Sequence, residues 1–442
     1  MTITPNRGLT EKALVAELRA QVAQALSGHA GSGPLPAVER RVLAERYTGE
    51  ALDRYARQEL DAGRAPLSAE AESRVARQAI NHLVGAGGLQ QLMREGVENV
   101  HAQGYDNVFF RRVGSPIAEP GPPIAESDEE MIDMIRTLAT EAALGDDFSA
   151  SGEERTFDRT HPVLDLRLRD GSRLCAVMSV TDRPSLSIRR PTMINASLED
   201  LVANGTLDEP LCRVLQAAVR AKLNTIYPGG TNTGKTTFAR AVAHAIPPHE
   251  RLITIEDNYE LELRDPVRHP NVVKMQSRLP NLEGVGEITM KDLLRTALRK
   301  DPDRVIVGEV RGDEVIELLK AMSQGNDGSF ATVHASSSAQ AFTRLMMYAV
   351  QAPERLTFEA SANLIAEAVH LVVHLDWTPG RQRVVSSVRE VVGFDGRDVL
   401  SNECWAPGRD KRAVPHTPLR TTTLERLEAA GLHPHMIDRI GW

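Results

Sequence analysis

The sequence predicts an α/β protein built around a phosphate-binding loop, with an α+β domain and a small helical bundle ahead of it. Three observations carry this expectation. From Ser197 onward, short apolar runs alternate with helical patterns, the order of a largely parallel sheet. Within that half, Gly229-Gly230-Thr231-Asn232-Thr233-Gly234-Lys235-Thr236 sets two glycines around four residues and follows them with Lys and Thr. Ahead of residue 193 the periodicity is that of helices alone to residue 85, then of strands mixed with helices from 86 to 192.

Taken in order, Leu14, Leu18, Val22 and Leu26 recur every four positions and predict an amphipathic helix over residues 10–26. Gly28 to Pro34 break it, and two further helical patterns follow at 38–62 and 68–84, so residues 1–85 read as a helical bundle. Gly85-Ala86-Gly87-Gly88 marks a boundary. Beyond it come a short helix at 89–95, a strand at 107–112, a proline-rich loop at 114–127 and a helix at 129–143. Strands at 163–168 and 173–178 flank Asp170-Gly171, a hairpin turn. The last strand of this α+β domain, 185–188, ends in Arg189-Arg190-Pro191. Paired guanidiniums are commonly solvated surface groups, but at a domain edge near a nucleotide they are candidate phosphate ligands.

Residues 193–206 read as a linker and 207–400 as the α/β domain. A strand at 223–227 enters the loop, and a helix at 237–246, stopped by Pro247 and Pro248, leaves it. Small residues there let backbone N–H groups point at phosphate oxygens, and the helix N-terminus adds its partial positive charge. Gly229 to Gly234, with Thr237, form the expected cradle, while Lys235 reaches the β- and γ-phosphates and the Thr236 hydroxyl holds magnesium. A strand at 251–255 delivers Glu256 and Asp257 to its C-terminal end, where ligands of such sheets gather. After a helix at 289–300, a strand at 304–308 runs into Glu309, a carboxylate placed to orient or deprotonate water. A strand at 329–333 ends at His334, which by position alone is more often structural than catalytic. Helices at 338–348 and 357–369 and strands at 371–375 and 384–392 complete the domain. The tail, 401–442, reads as loop over 402–418 and helix over 422–430.

Composition narrows the function. A net charge of −8, a pI near 6.0 and only 4% aromatic residues argue against a dedicated nucleic-acid binder, so a nucleic-acid partner is not expected. Cys175, Cys212 and Cys404 are too scattered for a disulfide framework or a zinc knuckle, which suits a reducing cytosol. No run approaches 18 apolar residues, and no leader pattern opens the chain, so any membrane association is expected to go through partners.

The loop, Ile255-Glu256-Asp257-Asn258-Tyr259-Glu260-Leu261, Val305-Ile306-Val307-Gly308-Glu309-Val310-Arg311-Gly312 and the stretch from Gly325 to Ala335 stand in the order of the Walker A, Asp box, Walker B and His box of the secretion-superfamily ATPases. The chain resembles that family over residues 85–395, and Asp170-Gly171-Ser172-Arg173 with Ser187-Ile188-Arg189-Arg190 resembles the branch that drives tight-adherence (Flp-type) pili and type IV secretion. Asn326 stands where the family often has histidine, and the four-cysteine zinc module of many type II secretion and pilus-extension ATPases is missing. The resemblance implies a RecA-like domain that binds ATP and Mg2+ and hydrolyses ATP. It makes Glu256 and Asp257 Asp-box residues, with Asp257 joining Thr236 at the metal. It gives Glu309 water activation and His334 sensing of the γ-phosphate; the clamp by Arg189 and Arg190 is expected on local grounds, as two adjacent guanidiniums that end a strand just before the 193–206 linker. The resemblance also implies a homo-oligomeric ring, a hexamer, that is cytoplasmic and peripheral at the inner face of the membrane, working on an inner-membrane platform protein. A DNA-translocating RecA-like motor of a conjugation system and a nucleotide-binding scaffold without hydrolysis are the alternatives.

Overall fold

A computed structural model describes residues 11–29, 37–84, 88–93, 96–115, 117–143, 156–168, 170–191, 193, 195–278, 280 and 284–441. Most of the expected break at 28–34 and the glycines at 85 and 87 lie outside them. The chain divides into two compact units, 1–192 and 193–442.

In the first unit, α1 (Glu11–His29), α2 (Ala37–Asp61) and α3 (Ala69–Val84) form a bundle. The four-residue spacing of Leu14, Leu18, Val22 and Leu26 puts them on one stripe, and all four are buried, against Leu52 and Val75 at one end and Leu43 at the other. After α4 (Leu89–Leu92) come β1 (Val97–Gln103), β2 (Val108–Arg112) and β3 (Ala118–Pro120), then α5 (Asp128–Ala143), β4 (Val163–Arg167), β5 (Arg173–Val177) and β6 (Ser185–Arg189). The strands make one antiparallel sheet in the order β3-β2-β1-β6-β5-β4. Alternation sends Val100, Leu164, Leu174, Leu186 and Ile188 to the face that packs with Met131 and Ile135 of α5. On the opposite face, cross-strand register lines up Arg111, Asn99, Arg189, Arg173 and Arg167 in a single row.

The second unit opens with α6 (Leu198–Ala203) and α7 (Glu209–Arg220). It continues as β7 (Thr225–Gly229), α8 (Lys235–Ala243), β8 (Leu252–Glu256), β9 (Val272–Gln276), α9 (Met290–Ala297), β10 (Arg304–Val310) and α10 (Glu314–Ser323). Then come β11 (Phe330–His334), α11 (Ser338–Gln351), α12 (Phe358–Ala368), β12 (Leu371–Trp377), β13 (Arg383–Phe394), β14 (Val399–Pro407), β15 (Ala413–Pro415), α13 (Thr421–Ala429) and α14 (Pro434–Ile440). Nine strands form one sheet in the order β15-β14-β13-β12-β7-β11-β10-β8-β9, parallel from β12 to β9 and antiparallel from β12 to β15. The loop-bearing β7 and the acidic-tipped β10 are separated by β11, the RecA-like order. Neighbouring residues pack into different cores, Ile306 into one and Val305 and Val307 into the other, because the sheet is covered on both faces.

Three stretches differ from the sequence expectation. The proline-rich loop at 114–127 supplies β3 at the edge of the first sheet, where a proline-bearing strand is tolerated. Residues 193–206, read as a linker, carry α6, whose Ser197 and Asp200 form a reciprocal capping box and whose Leu198 and Leu201 are buried. Residues 402–418, read as loop, supply most of β14 and all of β15. Their polar composition hides the strands. Pairing with β13 is also interrupted by register shifts at Val388/Arg389 and Val391/Gly393, so clean alternation is lost.

Candidate active site

All five residues of β7 are buried, and its register sets Gly229 beside His334 of β11 and Leu375 of β12. A Cβ at position 229 would lie 2.5 Å from Thr233 Oγ1 and 2.9 Å from the Leu375 carbonyl oxygen, so only glycine fits. The Thr233 hydroxyl donates to the Gly230 carbonyl at 3.0 Å, which braces the loop internally. Left-handed backbone at Asn232 (φ 62°) and Gly234 (φ 91°) turns the chain back so that α8 begins at Lys235 with its free N–H groups toward the loop. Thr231 is exposed, and Thr237 is half-buried in the first turn of α8.

Lys235 is buried and its ammonium donates to the carbonyls of Gly229 (3.1 Å) and Gly230 (3.0 Å). It also faces His334 Nδ1 at 3.5 Å and Glu309 Oε1 at 3.8 Å. His334 Nε2 lies 3.0 Å from the same Glu309 oxygen. Partial burial and the Lys235 ammonium hold the histidine below its ordinary pKa, so at neutral pH it is an uncharged imidazole. In the tautomer these contacts select, Nε2–H donates to Glu309 and Nδ1 accepts from Lys235. The second Glu309 oxygen is held by Arg311, whose other arm donates to Asp257 at 3.2 Å. Asp257 also accepts from Ser277 Oγ at 3.0 Å.

Glu256, at the tip of β8, is 2% exposed. Its Oε1 accepts the backbone N–H groups of Glu260 and Leu261, each at 2.9 Å, and its Oε2 is buried with no hydrogen-bond partner. Burial pushes its carboxyl up to about 7, the two backbone donors opposing the shift. Gly308 makes room for it, since a Cβ there would lie 2.9 Å from Glu256 Cγ. The turn that Glu256 pins sends Glu260 to the Thr236 hydroxyl, which donates to Oε2 at 3.0 Å.

A raised acid pKa gives stability that is complete below the unfolded value and lost as pH rises through the folded value near 7. Glu256→Gln, which cannot ionise, should therefore gain stability relative to the parent between pH 5 and pH 8. Denaturant melts of both proteins across that range would show it, and a constant difference would remove the linkage.

The structure thus gathers Gly229, Gly230, Thr233, Lys235, Glu309 and His334 at one place. It joins Thr236 to Glu256 through Glu260, and Asp257 to Glu309 through Arg311. Glu260 and Arg311 had no assigned role in the sequence reading. Both lie within the motif stretches, but each also reaches a distant partner, Glu260 to Thr236 on α8 and Arg311 to Asp257 just after β8. Arg189 and Arg190 belong to the first unit. There Arg189 is exposed in the arginine row, and Arg190 pairs with Asp170 at 3.6 Å. Asn326, the departure from the family pattern, lies in the turn before β11, at the end of that strand away from His334, and donates to the Pro302 carbonyl ahead of β10.

A model of the family described as Type II/IV secretion system protein matches residues 157–413. A Mycobacterium tuberculosis protein whose name assigns it to conjugal transfer is 33% identical over 352 residues, 77% of this chain and 94% of that protein. The TrbB of Sinorhizobium fredii, likewise named for conjugal transfer, is 30% identical over 316 residues, 70% of this chain and 87% of that one. Protein VirB11 of Agrobacterium fabrum is 30% identical over 243 residues, 48% of this chain and 69% of its own.

Proposed function

The chain belongs to the type II/IV secretion system protein family, and from that premise we propose that it is an ATP-hydrolysing motor of a secretion or pilus-assembly system. The observation that carries this reading is the meeting of Lys235, His334 and Glu309 at the C-terminal ends of β7, β10 and β11. ATP lies with its phosphates against the N–H groups of the loop and of α8. Lys235 leaves the Gly229 and Gly230 carbonyls for the β- and γ-phosphates. Glu309 takes a proton from the attacking water as the γ-phosphoryl group passes to that water and ADP departs. His334 is uncharged and can donate or accept a hydrogen bond, so it registers the γ-phosphate without adding a fixed charge.

Magnesium is the implied metal, and the residues fit it. Thr236 would supply a hydroxyl and Glu260, its hydrogen-bond partner at 3.0 Å, a carboxylate, with Asp257 the second carboxylate assigned to the metal. Among the described residues no three His, Cys, Asp or Glu side chains are spaced to hold a metal by themselves. Magnesium suits such a site, since it keeps waters and shares substrate phosphates with one or two carboxylates. Held there, the metal would supply neutralisation of charge on the phosphates. Phosphate release from ATP by the purified full chain, with and without Mg2+, tests the reading: metal-dependent turnover is expected, and neither binding nor release of phosphate would overturn it.

The working form in this proposal is a homo-hexameric ring, cytoplasmic and peripheral at the inner membrane face, acting on an inner-membrane platform protein. No described helix is long and apolar enough to cross a membrane. Arg189 is assigned as a phosphate ligand in that ring. Its support is local: Arg189 is exposed at the end of β6, in register with Arg173. Arg190, already paired with Asp170, is the weaker candidate. Arg189→Ala should lower turnover by about 10³-fold or more, as arginines acting on a transferred phosphoryl group do, with assembly by light scattering unchanged. Parental rates in both the Arg189→Ala and Arg190→Ala proteins would sink the clamp.

The names of the relatives favour a second reading, a DNA-translocating motor of a conjugation system. The net charge of −8 and low aromatic content weigh against it. ATPase activity measured with and without DNA separates the two, since only the second expects stimulation.

A further inference from the structure

The apex of the phosphate loop is held from outside the family motifs. β12 lies beside β7, and the hairpin joining β12 to β13 carries Trp377 paired in register with Arg383. Arg383 Nε donates to the Asn232 carbonyl at 2.8 Å, at the residue whose left-handed φ of 62° turns the loop. The Arg383 stem also lies against Gly234, where a Cβ would come within 3.3 Å of its Cδ. Its guanidinium sits 5.0 Å from the centroid of the Trp377 ring, which Arg381 also faces at 5.3 Å. The hairpin is anchored in turn. Thr378 closes it with hydrogen bonds to and from Gln382, and the Gln382 side chain donates to the Asn204 carbonyl at 2.7 Å and accepts from Arg412 at 2.5 Å. Gly205 turns the backbone into the left-handed region (φ 75°) beside this contact, and a Cβ there would push on the Gln382 amide at 2.8 Å.

From this geometry we propose that Arg383 is a positioning residue of the nucleotide site, held by Trp377, which fixes the loop apex in its phosphate-binding conformation. The proposal rests on the reading of the loop as an ATP site. A left-handed residue at an isolated turn is costly unless its surroundings hold it, and a loop that must reorder loses affinity by the fraction of time it is competent. Arg383 supplies a charge-assisted donor to the one carbonyl that reports the Asn232 conformation. The effect is on binding of the phosphate chain and not on the chemical step, because the carbonyl that Arg383 holds belongs to the loop that cradles the phosphates and not to β10 or β11, which carry Glu309 and His334.

The test measures ATP affinity, KM and kcat for Arg383→Met, which keeps the stem against Gly234 and removes the donor, with Arg383→Lys, Trp377→Ala and the Arg383→Met/Trp377→Ala double variant. Arg383→Met should weaken ATP binding and raise KM by about 10- to 100-fold, the loss of one charged hydrogen bond, with kcat within about twofold. Arg383→Lys should recover part of the loss. The double variant should bind no worse than Arg383→Met alone, since both changes remove one device. Inhibition by tripolyphosphate should weaken in parallel with ATP binding, which a general loss of folding would not single out. A parent that binds ATP beside an Arg383→Met protein with parental KM overturns the inference, as do additive Trp377 and Arg383 losses or a fall confined to kcat. A parent that does not bind ATP overturns instead the reading beneath it.

Discussion

Glu309→Gln is expected to keep ATP bound and to lose turnover by about 10²- to 10⁴-fold, the range for removal of a general base. The carboxylate is fixed from both sides, by His334 and Lys235 on one oxygen and by Arg311 on the other. Glutamine keeps the shape and these neighbours but has neither the charge nor the basicity to take a proton from water. Steady-state phosphate release measured beside the affinity of a fluorescent ATP analogue separates binding from chemistry, and hydrolysis at the parental rate would take Glu309 out of its role. Two reference variants bracket the result. Lys235→Ala should lose tight binding, because it removes the cation that faces the phosphates. His334→Ala should bind nearly as the parent while turnover falls by about 10- to 1,000-fold. Unchanged turnover would leave His334 a structural residue.

Arg304→Met is expected to destabilise the second unit by about 3–5 kcal/mol without any direct effect on the site. Arg304 begins β10 fully buried and forks onto Glu250 at 2.6 and 2.8 Å, with a third arm on the Gly328 carbonyl at 3.3 Å. Removing the guanidinium leaves the buried Glu250 carboxylate facing the Lys222 ammonium 4.0 Å away. A loss of this size lowers the thermal midpoint of a unit this large by about 6–20 °C. Replacing both partners, Arg304→Met with Glu250→Leu, should recover most of it, because the cost lies in the stranded charge. A single variant that melts with the parent would show that Glu250 finds water or another cation when Arg304 is gone.

The residues of the phosphate loop were legible because they are contiguous: one turn of backbone and the start of one helix make the cradle. The strands behind Glu256, Glu309 and His334 were legible for a related reason, as short buried runs of β-branched residues with an ionisable residue at the C-terminal tip. Boundaries moved where capping decides them, so α8 begins at Lys235 and not at 237. What stayed hidden depends on pairing. Nothing in the neighbourhood of Arg311 says that it will tie Glu309 to Asp257, because the tie exists only when β8 and β10 lie side by side. Each arginine of the first sheet reads alone as a surface charge, and only register adds them into a row.

The sequence by itself determined the α/β character of the second half, the phosphate loop with Lys235 and Thr236, and the carboxylates at the strand ends, since these follow from local propensity and from chemistry confined to a few consecutive residues. Only the tertiary structure decided that His334 stands beside Gly229, that Arg383 reaches the loop apex, and that burial moves the Glu256 carboxyl to about 7. Strand order, register and burial are properties of segments far apart in the chain. A side chain's protonation and its partners are set by what those segments bring to it, and by nothing written at its own position.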